Sequence, residues 1–335
     1  MQRLTWFRFS IAALAVFGGG RLESVRAWDN PGHMAVAGLA YDELSSAEQN
    51  KLAAILRKHP ALNLITAGFP DGQPDNRELV MAAATWPDLA KESKAFKNNG
   101  YEKNAPAVTA VKFDHEQHRG YHFIDTPLWV GDGPAPSHMP AAPKVNAVGV
   151  VNVLLNQLRT NESDEAKAYD YGWLLHLVGD LHQPLHAVNG ISDTLEDGDT
   201  GGNEVHIHGA THSTSNLHSF WDDILGKTAH RDKQGNPRLD IDVDTADTII
   251  NAVKQLSLAA GADDLNATNW AKESYAMAKK DVYKPLELEP VHGDPHDYLK
   301  ATLDPEYGSR ATSDARKRIR LAGHRLALLL KQTLQ

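Results

Sequence analysis

The chain has 335 residues, 41% of them hydrophobic and 23% charged, enough to bury a sizeable core and too apolar for intrinsic disorder. It contains no cysteine, which excludes disulfides, thiolate metal sites, iron–sulfur clusters and a cysteine nucleophile, so any metal must sit on nitrogen and oxygen ligands. Lys and Arg number 34 against 43 Asp and Glu, a formal charge of −9, the wrong sign for gripping duplex DNA through a broad cationic face.

From the N-terminus, Arg3 and Arg8 precede an apolar stretch over 10–17, and Val25-Arg-Ala27 supplies small residues for a cleavage point. Residues 1–27 therefore read as a secretory signal peptide, with an uncleaved anchor as the alternative. The apolar run is too short to span a bilayer, and nothing later approaches the ~20 apolar residues a membrane helix needs. Cleavage after Ala27 would leave a mature chain of 308 residues that begins at Trp28, has a net charge of −12 and keeps all 17 histidines.

There is no internal repeat, low-complexity tract or long linker, so residues 28–335 read as one domain. Apolar residues spaced three and four apart predict helices over 47–58, 77–93 with an interruption at Pro87, 145–160, 164–182, 216–225, 245–261, 269–282 and 313–334. The last sets Ile319, Leu326, Leu329, Leu330 and Leu334 on one side, and Arg316, Lys317, Arg320 and Arg325 read as a solvated face. Strand signals are scarce. Two long polar stretches intervene, about 96–143 and 187–215, and in the second Gly201-Gly202 followed by Glu204-Val-His-Ile-His208 predicts a loop and a short hairpin. The expected fold class is mainly α, a single helical domain with long loops and a short β-hairpin.

Two segments carry the clearest chemistry. His176-Leu-Val-Gly-Asp180 and His218-Ser-Phe-Trp-Asp222 both read His-x-x-x-Asp inside helical patterns, which puts each pair on one helix face one turn apart. An imidazole nitrogen and a carboxylate oxygen are what Zn²⁺ takes when no thiolate is available. His186 follows just past Pro184, which ends the helix and lets a third ligand arrive from another direction. At the expected new N-terminus stands Trp28-Asp-Asn-Pro-Gly-His33, where a freed α-amine, with a pKa of about 8, could also bind a metal. Asp88 and His122 stand singly and by themselves read as a surface carboxylate and a core histidine.

Taken together and in this order, these segments resemble the S1/P1 nuclease family, zinc-dependent single-strand nucleases and 3′-nucleotidases, over essentially the whole mature chain. The resemblance implies a helical fold of the phospholipase C/P1 nuclease type with three zinc ions. By motif, Asp88, His122, His176 and Asp180 would hold the first, and the amine and carbonyl of Trp28, His33 and a bridging Asp180 the second. His186, His218 and Asp222 would hold the third. It also suggests Lys91 as a phosphate contact, Asp125 as a polar group beside the attacking water, and Asn203 in a Gly-Gly-Asn turn, structural or lining the cleft. The implied substrates are single-stranded DNA and RNA and 3′-nucleotides, cut at the 3′ O–P bond to leave 5′-phosphates, with no membrane and no obligatory protein partner. Fungal members carry Asn directly after the last metal-binding Asp and use it on a base edge. Here that residue is Asp223, an acceptor only, so base preference should change. Lack of cysteine fits a bacterial secreted or periplasmic member.

The nearest rival is a zinc-dependent phospholipase C, whose third site closes with His-x-x-x-Glu rather than His218-Ser-Phe-Trp-Asp222. A periplasmic zinc-binding protein without catalysis is the other, although such proteins cluster their histidines in loops. His182 reads as support or packing rather than a ligand, and His115, His118, His206, His208 and His212 as surface residues. Trp173, Trp221 and Trp270 read as core.

Overall fold

Most helix starts among the described residues are written by side chains that accept backbone N–H groups. The computed structural model describes residues 28–69, 72–99, 105–160, 162–208, 216–227, 241–293 and 296–335; the expected signal peptide and His212 lie outside them. Ser45 and Asp75 form reciprocal capping boxes with Glu48 and Glu78 at the starts of α2 (Ser46–Leu56) and α4 (Asn76–Ala83). Asn146, Ser163, Asn216, Asp242 and Asn266 cap α6 (Ala147–Gln157), α7 (Asp164–Asp180), α8 (Leu217–Asp223), α9 (Val243–Val253) and α10 (Ala267–Met277). Pro87 sits in the first turn of α5 (Trp86–Glu92), where its missing N–H is harmless, so the expected break in 77–93 falls just before it.

Periodicity does not announce α1 (Asn30–Asp42). All but its last residue are buried, so it has no polar face to reveal a 3.6-residue repeat. It packs against α4, α7, α9 and α11 (Tyr307–Thr333) at the centre of the molecule. A short α3 (Leu62–Thr66) precedes α4. The helix expected over 245–261 stops at Val253, and that over 313–334 starts earlier, at Tyr307. Helix α10 runs on as a π-helical turn, Ala278–Tyr283. Trp28, Trp86, Trp173, Trp221 and Trp270 are all fully buried.

The strands differ from expectation. Residues 205–208 do form a strand, β3 (Val205–His208), but it pairs in parallel with β5 (Tyr298–Thr302) instead of folding back as a hairpin. Val205 and Ile207 are buried opposite Leu299 and Ala301, so an apolar face near the C-terminus, remote in sequence, selects the register. The antiparallel pair is β5 with β4 (Glu287–Val291). A second, parallel pair joins β1 (Thr126–Trp129) to β2 (Val188–Ile191).

Nor is the basic residue set of α11 wholly solvated. Arg325 is 1% exposed, and its guanidinium meets Glu273 at 2.7 and 2.8 Å and the carbonyl oxygens of Gly261 and Ala262. A buried cation needs such partners, and here a neighbouring helix and loop supply them. Among the described residues, no helix is long and apolar enough to cross a membrane.

Candidate metal centre

Six elements converge on one buried core of imidazoles and carboxylates. Helix α1 brings His33, α5 brings Asp88, and the 3₁₀ turn Arg119–His122 brings His122. Helix α7 brings His176 and Asp180, the 3₁₀ turn Pro184–Ala187 brings His186, and α8 brings His218 and Asp222. The β1–β2 pairing locks two of these segments together. Ile124 N donates to His186 O at 2.8 Å, and His186 Nδ1 donates to His122 O at 2.8 Å.

Three groupings have ligand atoms close enough to share an ion: Asp88, His122 and His176; His33, His176 and Asp180; and His186, His218 and Asp222. Around the first, His122 Nδ1 lies 2.9 Å from His176 Nε2, 3.0 Å from Asp180 Oδ2 and 3.9 Å from Asp88 Oδ1. His176 Nε2 lies 3.3 Å from Asp180 Oδ2 and 3.7 Å from Asp88 Oδ1. A tetrahedral ion with bonds of about 2.0–2.1 Å needs ligand atoms ~3.3 Å apart, and the separations here run from 2.9 to 3.9 Å. Asp180 turns its other oxygen, Oδ1, to His33 Nε2 at 3.4 Å, so its carboxylate spans two groupings. In the third, His218 Nε2 is 3.3 Å from Asp222 Oδ2.

Hydrogen bonds fix which ring nitrogen carries a proton. A carbonyl oxygen only accepts, so His176 Nδ1 donates to Ala84 O at 2.8 Å, and His218 Nδ1 to Gly201 O at 2.7 Å. With His186 Nδ1 committed in the same way, each neutral ring has its lone pair on Nε2, the arrangement that metal-ligating histidines take. Both ring nitrogens of His33, Asp88 Oδ2, Asp180 Oδ1 and His122 Nε2 are buried without a hydrogen bond. Buried polar atoms left in this way are costly, and a cation among them would satisfy the carboxylate oxygens and one nitrogen of His33 together.

The electrostatics agree with that donor set. Burial, reinforced by the neighbouring His176, pushes the His33 pKa down to about 3, and burial likewise takes His122 to about 3, so both rings stay neutral and able to donate lone pairs. Burial would raise Asp88, but the Lys91 ammonium 2.6 Å from its Oδ1, with His176 and His122, holds it well below the usual carboxylate range. Asp180, which lacks such a cation, is raised by burial. Asp222 is raised well above its ordinary value, by burial and then by Asp223 and Asp29.

The other expected residues occupy distinct places. Lys91 is 4% exposed and also stands 5.9 Å over the Phe123 ring. Asp125 joins the 3₁₀ turn to β1 with φ +52°, a left-handed conformation that strains a residue with a side chain. The Asn203 amide donates to Thr200 O at 2.7 Å and closes the turn. Asp223 Oδ2 pairs with Lys227 at 2.6 Å, next to Asp222 on α8. Trp28 is buried, and the amide after it, Asp29 N, donates to Asp222 O at 3.1 Å, which ties the start of the described chain to α8. His182 lies outside the groupings; its Nδ1 donates to Val178 O and its Nε2 faces Arg325 at 3.0 Å.

Sequence reasoning passed over three supporting residues. Gln183 donates from Nε2 to Asp222 Oδ1 at 2.7 Å and accepts from Leu185 N at 2.5 Å; its place between Asp180 and His186 was the available signal. Gly179 is needed where it is, since a Cβ there would lie 2.7 Å from His33 Nδ1. Asp199 is buried beneath the Gly201-Gly202 turn, a role that the loop's polar composition conceals. A fourth grouping, Asp114, Glu116 and His118, lies apart; His118 is buried there, stacked on Tyr121 and paired with Asp114 at 2.8 Å. A groove of about 840 Å³, lined by Trp129, Asp193, Lys279, Tyr283 and Leu288 among others, runs past the far ends of β1 and β2.

The chain is similar to two plant proteins. It is 26% identical to Endonuclease 3 of Arabidopsis thaliana over 209 residues, 60% of this chain and 55% of that protein. It is 30% identical to Endonuclease 1 of Arabidopsis thaliana over 164 residues, 48% of each. It thus spans about half the length of these relatives. The family profile described as S1/P1 Nuclease matches residues 28–335, which takes in every element and every grouping above, and the chain belongs to the S1/P1 nuclease family.

Proposed function

We propose that this protein is an exported zinc-dependent nuclease, which hydrolyses the 3′ O–P bond of single-stranded DNA and RNA to leave 5′-phosphates and also acts on 3′-nucleotides. One observation carries the reading: three adjoining groupings of buried histidines and carboxylates within a chain of the S1/P1 nuclease family. In this reading Asp88, His122, His176 and Asp180 would hold one ion, and His33, Asp180 and the amine and carbonyl of Trp28, the amine freed by removal of residues 1–27, would hold a second. His186, His218 and Asp222 would hold a third. The bound zinc ions supply Lewis acidity, lowering the pKa of an attacking water towards neutrality and offsetting charge on phosphate oxygens.

The protein's own groups do the rest. His122, His176, His186 and His218 are held in place by backbone and carboxylate partners, so little reorganisation is needed when charge develops. Lys91 contributes a fixed positive charge beside Asp88 that attracts an equatorial phosphate oxygen. Asp125, rigid on its left-handed backbone, orients the attacking water. The water oxygen bonds to phosphorus, the 3′ O–P bond breaks, and the 3′ oxygen departs with a proton as a hydroxyl. Asn203 shapes the turn above His218, and Asp223 meets the base edge. A core this enclosed reaches a phosphodiester only when the strand is splayed, which favours single strands.

The test is release of acid-soluble nucleotide from heat-denatured DNA by protein beginning at Trp28, before and after EDTA, and again with zinc restored. Activity lost and regained, with 5′-phosphate ends, supports the proposal. A folded, zinc-loaded sample that leaves DNA, RNA and 3′-nucleotides intact overturns it.

A further inference from the structure

The segment between β2 and β3 turns on a carboxylate that the proposed chemistry does not use. Asp199 is fully buried. Its Oδ1 accepts from Gly190 N on β2 at 2.7 Å, its Oδ2 from Tyr283 Oη at 2.5 Å, and the amides of Gly201 and Gly202 donate to it as well. The fit depends on bare backbone: a Cβ on Gly190 would lie 2.4 Å from Asp199 Oδ2. Gly201 and Gly202 turn their amides towards Asp199 at φ +64° and +87°, a conformation glycine adopts without steric cost.

Held this way, the turn presents its carbonyls to the next helix. Gly201 O accepts from His218 Nδ1 at 2.7 Å, and Gly202 O accepts from His218 N at 3.3 Å. The first bond fixes both the ring's tautomer and its direction, and so leaves Nε2 facing Asp222 Oδ2 at 3.3 Å. Tyr283 reaches Asp199 from the π-helical turn, an irregularity that often marks a functional position. Three separate segments thus meet at one buried carboxylate, and the turn they fix holds the ring of a candidate ligand.

We propose that Asp199 is the positioning residue of the His186, His218 and Asp222 grouping: together with Tyr283 it fixes the Gly201-Gly202 turn that aims His218 at the ion. The inference rests on reading that grouping as a metal site. It assigns to Asp199 and Tyr283 a supporting role that sets affinity at one of the sites and leaves the others as they are.

The experiment titrates zinc alone into EDTA-stripped protein, following bound equivalents and, in a parallel series, the visible spectrum of the cobalt-loaded form. In Asp199→Asn, one equivalent is expected to weaken by about 10–100-fold, with a changed cobalt band, while the remaining equivalents bind as in the wild type. Tyr283→Phe keeps Asp199 and the glycines and is expected to shift the same equivalent less, so the inference remains testable if Asp199→Asn fails to fold. Wild-type zinc isotherms in the variants, even with a lower melting temperature of the stripped protein, overturn the inference alone. Equal weakening of every equivalent also overturns it. A wild-type protein that binds no zinc at this grouping overturns both the inference and the reading beneath it.

Discussion

His33 lies flat against His176, ring centroids 3.9 Å apart and planes within 16°, and Gly179, one turn below on α7, leaves just enough room for it. Gly179→Ala would raise helix propensity by about 1 kcal/mol but set a methyl 2.7 Å from His33 Nδ1. Overpacking of a closed core costs about 1–3 kcal/mol, so the clash should win. Urea unfolding is expected to show a net loss of stability, and zinc titration the loss of the equivalent held by His33. An alanine variant as stable as the wild type with full zinc content would show that the ring can move aside.

Removing metal should cost stability as well as activity. If ions bind the folded chain and not the unfolded one, a thousandfold excess over Kd stabilises by about 4 kcal/mol per site. The melting temperature should therefore fall by ~10 °C or more in EDTA, and recover with zinc. No change in scanning calorimetry would count against occupied sites.

Asp170 should make the fold more stable in mild acid. Burial raises its pKa to about 8, against a hydrogen bond from Gln157 that lowers it. The folded chain therefore binds a proton more readily than the unfolded one between about pH 4 and 8, and the contribution is lost as pH rises through that window. Asp170→Asn, which can still accept from Gln157, should raise the melting temperature at pH 8 and change it little at pH 4.5. An equal effect at both values would exclude Asp170 as the source.

His59 acts in the opposite direction. Burial lowers its pKa to about 3, and its Nδ1 accepts from Ala61 N at 3.0 Å. Below about pH 6.5 the unfolded chain takes up a proton that the folded chain refuses, so stability falls on acidification towards pH 3. His59→Asn, whose side-chain oxygen can replace Nδ1 as acceptor, should flatten that limb. Denaturant midpoints at pH 7 and pH 4.5 would detect it.

Asp223 should bias base choice. A carboxylate accepts only, which favours a guanine edge offering two adjacent donors, and such a pair discriminates by about 1–3 kcal/mol. Asp223→Asn should lower kcat/KM for guanosine 3′-phosphate roughly tenfold relative to adenosine 3′-phosphate. An unchanged ratio would remove Asp223 from the base pocket.

Much of the helical frame was legible because amphipathic helices with side-chain caps declare themselves locally. Helix α1 was not, being apolar all round, nor was the partner of β3, which lies over ninety residues away in β5. His176, Asp180, His218 and Asp222 could be paired from helix spacing alone. His33, Asp88 and His122 stand singly, and only their convergence gives them meaning. Gly179 and Asp199 were invisible for another reason: a supporting residue is defined by what it touches, and sequence spacing carries no trace of it; Gln183 left only its place between Asp180 and His186.

The bond from Asp29 N to Asp222 O spans 193 residues. Loop closure over such a separation is slow, and a chain dominated by distant pairings completes them late in folding. The first residues of the described chain therefore wait for nearly all the rest before their surroundings exist, and no partial chain ending before α8 can assemble the whole set of histidines. Ion uptake then follows folding in time and happens wherever folding happens. If the chain is exported unfolded, as proposed, metal acquisition falls on the far side of the membrane.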